Sequence, residues 1–394
     1  MFIKTPYLFS VIIFVFSFSF ELLSQNTQIE VVTEKEVAAR IEELNKLTPL
    51  NLVYNKNVQA IIDVYTVKRK NHLAKIIGLS KLYFPLFEEY LSNAGLPLEL
   101  KYLAVVESAL DPKAKSSSGA TGLWQFLFHA SRMFDLQISS YIDERCDPIK
   151  STEAATRYLK YLYENFHDWN LAFAAYNGGI ASVNEAITKS NGNRDFWEIK
   201  KHLSAETCGY VPAFIAVFYV MNYYESYGIV PVMPDYKFDD IETVILDKSV
   251  TFNQLSTLFS ISVEEIRFLN PMYIMDFVPE SVIPAKIIFP KSKLNLYMEK
   301  KEQIKEEKSP ETAVLPPIGD IKGREKIIHR VAKGEFFHRI AMNYECRVED
   351  IQKWNNLNKR ELNAGQQLLI WKRIANNKQF FICQEFNYLE QINN

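Results

Sequence analysis

Cysteine is scarce in this chain. Cys146, Cys208, Cys346 and Cys383 are the only four in 394 residues, and no two form a CxxC pair. That spacing signals neither a zinc site nor a disulfide-dense scaffold, which leaves free or structural thiols as the reading. The 13 glycines and 16 prolines are too few for a collagen-like or wholly disordered chain. An excess of one charge is also missing. Lys plus Arg (45) against Asp plus Glu (47) leaves a net −2, and no overall field is available to hold a nucleic-acid backbone. The six histidines are scattered without pairing, and neither a metal nor an organic cofactor is implied. Long apolar runs are lacking too: the longest, Tyr7 to Phe20, spans fourteen residues, short of the roughly 20 that a bilayer requires.

What is present is 48% hydrophobic and 23% charged residue, the composition of a soluble globular protein, in a length that predicts two or three domains. Lys4, the apolar run and Glu21 read together as an export signal over residues 1–25. The chain is therefore expected in the periplasm or cell envelope. An uncleaved run beginning at Phe2 would also associate it with the membrane. Val37, Ile41, Leu44 and Leu47 recur at three- and four-residue spacing, which predicts a helical N-terminal region over 26–81. Pro148 to Phe166 predicts a long helix with Ser151 or Thr152 as N-cap, and Trp169–Ala175, Ile180–Ile187 and Val211–Tyr224 predict three more. An all-helical domain over 82–228 follows.

Beyond Pro231 and Pro234 the texture changes to short β-branched runs around helical pairs. Thr251–Pro271 and Glu335–Leu357 share one order: helix, β-branched turn, acidic pair, apolar residues, then Asn. This is an internal repeat. Between the copies, Glu299 to Lys308 carries eight charges in ten residues and is followed by Pro310, Pro316 and Pro317. Residues 298–326 are expected to form a flexible linker. The tail, 373–394, matches no pattern.

Leu98–Leu110 (LELKYLAVVESAL) predicts a helix in which Leu103, Val106, Glu107 and Leu110 share one face. A carboxyl on an apolar face has a raised pKa, which is the condition for a general acid near neutral pH. By periodicity alone, Glu107 reads rather as a core-edge glutamate bonded to a loop amide or paired with Lys101 or Lys113. Three further segments bear on the choice: Glu107-Ser108, Gly119–Phe126 (GATGLWQF) and Ala174–Gly179 (AAYNGG). In this order they resemble the ES, GLxQ and AYN motifs of lytic murein transglycosylases with a goose-lysozyme-like catalytic domain. Glu206–Pro212 (ETCGYVP) resembles the ETxxYVP segment of the membrane-bound D-type subgroup. The sequence departs from that subgroup at Leu127-Phe128-His129, where Met-Pro is usual, and His129 reads as a surface or cap residue.

The resemblance implies a mainly α fold, lysozyme-like in its catalytic domain, with two small βααβ LysM-type modules after it. It implies Glu107 as the catalytic acid and then base, acting on the β-1,4 bond between MurNAc and GlcNAc to leave 1,6-anhydro-MurNAc ends. By the same carry-over, Ser108, Trp124, Gln125, Tyr176, Asn177, Glu206 and Tyr210 would bind substrate or brace the cleft, with Trp124 and Phe126 packed or stacked against sugar faces, although a buried tryptophan suits the core equally well. No metal or organic cofactor is implied, and the partner is the peptidoglycan glycan strand. Residues 327–372 resemble a LysM module that binds GlcNAc-containing glycan, and 240–291 a degenerate one. Two other readings compete: lysozyme-like hydrolysis of the same bond, and a non-catalytic peptidoglycan-binding scaffold.

Overall fold

A computed structural model describes residues 32–139, 141–279, 285–307, 324–332, 335, 337, 340–341, 344, 346, 348–357 and 362–373. The expected export signal, residues 308–323 of the expected linker, residues 374–394 of the tail and the side chain of His129 lie outside them. The fold is mainly α, as expected. Helix α1 (Glu34–Leu47) opens on a capping box between Thr33 and Glu36, and its stripe Val37, Ile41 and Leu44 is buried. Helix α2 (Lys56–Asp63), capped by Asn55, runs through a π turn at Val64–Lys68 toward α3 (Lys70–Asn93).

The segment read as one helix over 98–110 is shorter and divided. A 3-10 turn, Leu98–Lys101, leads into α4 (Tyr102–Ser108), which stops because Ala109 and Leu110 adopt φ of 53° and 63°. After a loop come α5 (Phe128–Met133), α6 (Pro148–Phe166), α7 (Trp169–Gly178), α8 (Ile180–Lys189), α9 (Phe196–Ile199) and α10 (Ala205–Tyr223). The N-cap of α6 is Asp147, not Ser151 or Thr152. Its carboxylate accepts from Ile149 N and Lys150 N at 2.8 and 3.0 Å, and Pro148 fills the first helical position, where a missing N–H costs nothing. Ser151 and Thr152 lie inside the helix and donate to the carbonyls of Asp147 and Pro148.

Helix α10 has no polar face. Thr207 and every residue from Gly209 to Met221 are buried, so it forms the centre of the body, with α2, α4 and α7 packed round it.

The first repeat is a βααβ unit with its own core. Strand β1 (Ile241–Leu246) pairs antiparallel with β4 (Ala285–Pro290), and β2 (Val250–Thr251) with β3 (Phe277–Val278). Helices α11 (Phe252–Phe259) and α12 (Val263–Leu269) lie between. The sequence reading placed a linker from residue 298, but the chain stays folded to residue 307. Helix α13 (Leu294–Lys300) packs Tyr297 on the module, Ile304 is buried there, and Ser249 O accepts from Glu307 N at 3.0 Å. Charge density misled because these side chains point outward while two apolar residues face inward. The second unit pairs β5 (Arg324–Arg330) with β6 (Gln367–Arg373) and includes α14 (Val348–Trp354).

The asparagine closing each repeat has a matched role. Asn270 bonds both the N–H and the C=O of Ile288 at 2.7 and 2.9 Å, and Asn355 does the same to Leu369 at 2.6 and 2.7 Å. Each satisfies backbone groups of the last strand that the two-stranded sheet leaves unpaired. Among the described residues, no helix is long and apolar enough to cross a membrane.

Candidate active site

The end of α4, the loop 114–126, the end of α7 and the start of α10 come together, and their side chains tie them by hydrogen bonds. Glu107 sits half-buried in the last turn of α4, and its Oε1 accepts from the Tyr210 hydroxyl on α10. Burial of the carboxyl pushes its pKa up from 4.5 to about 8. The Tyr210 hydrogen bond pulls the other way, and the negative charge of Glu206 adds to the rise. At neutral pH, Glu107 therefore holds its proton. Lys101, offered by the sequence as a partner, pairs instead with Glu88.

Asn177 ends α7 and is fixed from both sides. Its Nδ2 donates to Glu206 Oε1 at 3.1 Å, and its Oδ1 accepts from Thr207 Oγ1 at 2.8 Å. Gly178 lets α7 come this close to α10, because a Cβ there would lie 2.7 Å from Thr207 Oγ1. The sequence reading passed over Thr207, although it lies inside the ETCGYVP segment.

The loop carries few regular backbone pairs, and side chains capture its carbonyls. Ser108 Oγ donates to Leu123 O at 2.9 Å, and Tyr176 Oη to Trp124 O at 2.7 Å. Burial holds the Tyr176 phenol well above its ordinary range, with the Glu107 charge adding to this. Gln125 adopts φ 49°, and its Nε2 donates to Ala114 O and Gly122 O at 3.1 and 2.9 Å. Arg145, missed by the sequence reading, donates through Nη1 to Gly119 O and Phe126 O at 3.0 and 3.3 Å, and pairs with Asp143 at 2.7 Å.

Trp124 is a correction. It is 1% exposed, its indole N–H donates to Thr152 Oγ1 at 3.0 Å, and its ring lies 5.0 Å from that of Phe87. Phe126 is 2% exposed. Neither ring can stack on a sugar, because both are buried in the core. Of the sequence candidates, Glu107 bonds to Tyr210 and Asn177 to Glu206, two pairs linked by the charge of Glu206 on Glu107, while Ser108, Gln125 and Tyr176 bond to backbone carbonyls. Among the described residues, no group of three His, Cys, Asp or Glu side chains could hold a metal.

This arrangement can donate a proton from a buried carboxyl and take one back. Residues 85–199 match the transglycosylase SLT domain family, 240–306 the lytic transglycosylase MltD LysM-like domain, and 329–371 the LysM domain. The membrane-bound lytic murein transglycosylase D of Escherichia coli (strain K12) is 28% identical over 324 residues, 79% of this chain and 69% of that protein. The soluble lytic murein transglycosylase of the same strain is 32% identical over 173 residues, 42% of this chain and 26% of that protein. The solved 70 kDa soluble lytic transglycosylase of Escherichia coli is 26% identical, with a TM-score of 0.34 over 50% of this chain and 31% of that one.

Proposed function

We propose that this chain, which joins an SLT-type transglycosylase domain to two LysM-type modules, is a peptidoglycan lytic transglycosylase of the cell envelope. Glu107 gives its proton to the oxygen bridging MurNAc C1 and GlcNAc C4 as the C1–O bond breaks. The resulting carboxylate then takes the proton of the MurNAc C6 hydroxyl as that oxygen bonds to C1. The products are a GlcNAc 4-hydroxyl and a 1,6-anhydro-MurNAc end, and water is not consumed. One residue serves as acid and then base.

The observation that carries this reading is a carboxyl kept protonated near pH 7 by burial, with a phenol hydroxyl donating to it. A two-carboxylate hydrolase needs a second acid to act as nucleophile or to activate water. Glu206, whose charge reaches Glu107, is instead bound to Asn177. Asn177, Glu206 and Tyr210 line the cleft, and the LysM modules hold GlcNAc-containing strands beside it.

The test is incubation of the chain from residue 26 with purified sacculi, followed by mass spectrometry of released muropeptides, beside Glu107→Gln. Anhydro-MurNAc ends from the parent, and none from Glu107→Gln, are expected. Reducing MurNAc ends would replace transglycosylation with hydrolysis. Cleavage by Glu107→Gln, or none by the parent, would overturn the assignment.

A further inference from the structure

The first LysM-like module is seated on the helical body by backbone pairing. Asp143 N donates to Met272 O and Ile274 N to Tyr141 O, both at 2.9 Å, and Ile142 bridges Tyr273 in antiparallel fashion. Side chains close the joint. The Tyr141 and Phe277 rings lie 5.6 Å apart, and Cys146 is buried in the module's own core beside Met272 and Tyr273. This segment of the body thus pairs with the module's loop 272–274, between α12 and β3.

The same segment carries the residues that shape the catalytic loop. Asp143, whose N–H is bonded to the module, accepts from Arg145 Nε and Nη2 at 2.9 and 2.7 Å. Both residues are buried, at 8% and 5% exposed. Arg145 Nη1 reaches on to Gly119 O and Phe126 O, the two ends of the GATGLWQF stretch. The Arg145 carbonyl faces Gly122, where a Cβ would lie 1.8 Å away. At its inner side the loop is tied to Ser108, next to Glu107. The route from module to acid thus runs through these hydrogen bonds and the short chain segments between them.

We propose that this module is a positioning element for catalysis: its loop 272–274 holds 141–143, which fixes the Asp143–Arg145 pair and, through it, the loop 114–126 against the Glu107 end of α4. The proposal rests on Glu107 being the catalytic acid. A module that served only as a glycan tether would affect substrate capture. One that fixes the loop affects turnover, because small displacements of positioning groups cost rate steeply.

The experiment uses the chain from residue 26, carrying Tyr141→Ala, Ile274→Pro or Arg145→Lys in turn, with Tyr141→Phe as the conservative variant. Turnover is measured on soluble, uncrosslinked murein glycan strands, and binding by co-sedimentation with sacculi. Tyr141→Ala, Ile274→Pro and Arg145→Lys are expected to lower kcat by about 10- to 100-fold, while KM and sacculus binding change by less than about twofold. Tyr141→Phe keeps the ring contact and is expected to restore kcat. Circular dichroism and melting temperature establish folding; if Ile274→Pro or Arg145→Lys fails to fold, the Tyr141→Ala and Tyr141→Phe pair decides. An unchanged kcat in folded Tyr141→Ala, or a loss confined to KM and binding, overturns the proposal. A parent that does not cleave, or a Glu107→Gln variant that does, would instead mark failure of the functional reading itself.

Discussion

Replacing Glu107 with Gln should change how stability depends on pH, independently of any activity. In the folded chain Glu107 titrates at about 8, against 4.5 ordinarily. Between these values the folded chain holds a proton that the unfolded chain has released, so the native state binds more protons and loses stability as pH rises. The contribution is fully present below the unfolded value and is lost as pH climbs toward and through the folded one. Each pH unit in that window costs about 1.4 kcal/mol, which makes the loss about 4 kcal/mol from pH 5 to pH 9. Glutamine has nearly the same shape, can accept from Tyr210 through its amide oxygen, and does not titrate. The Glu107→Gln variant should therefore melt near the parent at pH 5 and well above it at pH 9. At roughly 2–4 °C per kcal/mol for a domain of this size, the gap widens by about 8–16 °C. Differential scanning calorimetry of the catalytic-domain transition at half-unit pH steps measures it. A melting difference that stays flat from pH 5 to pH 9 would refute the reasoning, because it would mean that the carboxyl titrates in its ordinary range.

Two further changes test the parts around the acid. Tyr210→Phe removes the hydrogen bond that holds the Glu107 pKa down; a bond to a charged group is worth about 1.5–3 kcal/mol. The basic limb of the kcat/KM profile should then move up by about one to two pH units, and an unmoved limb would separate Tyr210 from the acid. Gly122→Ala places a Cβ 1.8 Å from Arg145 O at a φ of 90°. It should cost at least about 3 kcal/mol in urea unfolding, and a loss below about 1 kcal/mol would show that the loop yields without cost.

Periodicity made the helical body legible because it reports burial directly: the stripe Val37, Ile41 and Leu44 is buried. Periodicity is silent about backbone handedness, so the turn at Ala109 and Leu110 that ends α4 one residue after Glu107 was read as more helix. The N-cap of α6 was misplaced because the sequence offers Asp147, Ser151 and Thr152 in succession; Pro148 selects Asp147 by occupying the first helical position. Composition was the weakest guide. Eight charges between Glu299 and Lys308 suggested linker over residues in which Ile304 is buried. The pairing of 141–143 with 272–274 joins segments some 130 positions apart through main-chain groups, which no side-chain pattern encodes.

The motif residues fall into two physical classes, and their bonding separates them. A loop without regular pairing must still satisfy its carbonyls. Here those of Ala114, Gly119, Gly122, Leu123, Trp124 and Phe126 accept from five side chains: Thr121, Gln125, Arg145, Ser108 and Tyr176. These five come from α4, from α7, from the segment beside the module and from the loop itself, so the loop is held from several directions at once. That explains why Ser108 and Tyr176 stand beside Glu107 and Asn177 in sequence without sharing their bonds. Their hydroxyls hold the loop that walls the cleft, whereas Glu107, Asn177, Glu206 and Tyr210 bond to other side chains. The second class presents polar atoms whose partners a sugar could replace. The first presents atoms already committed to the fold, so its members act on the reaction through the position they give the acid's surroundings.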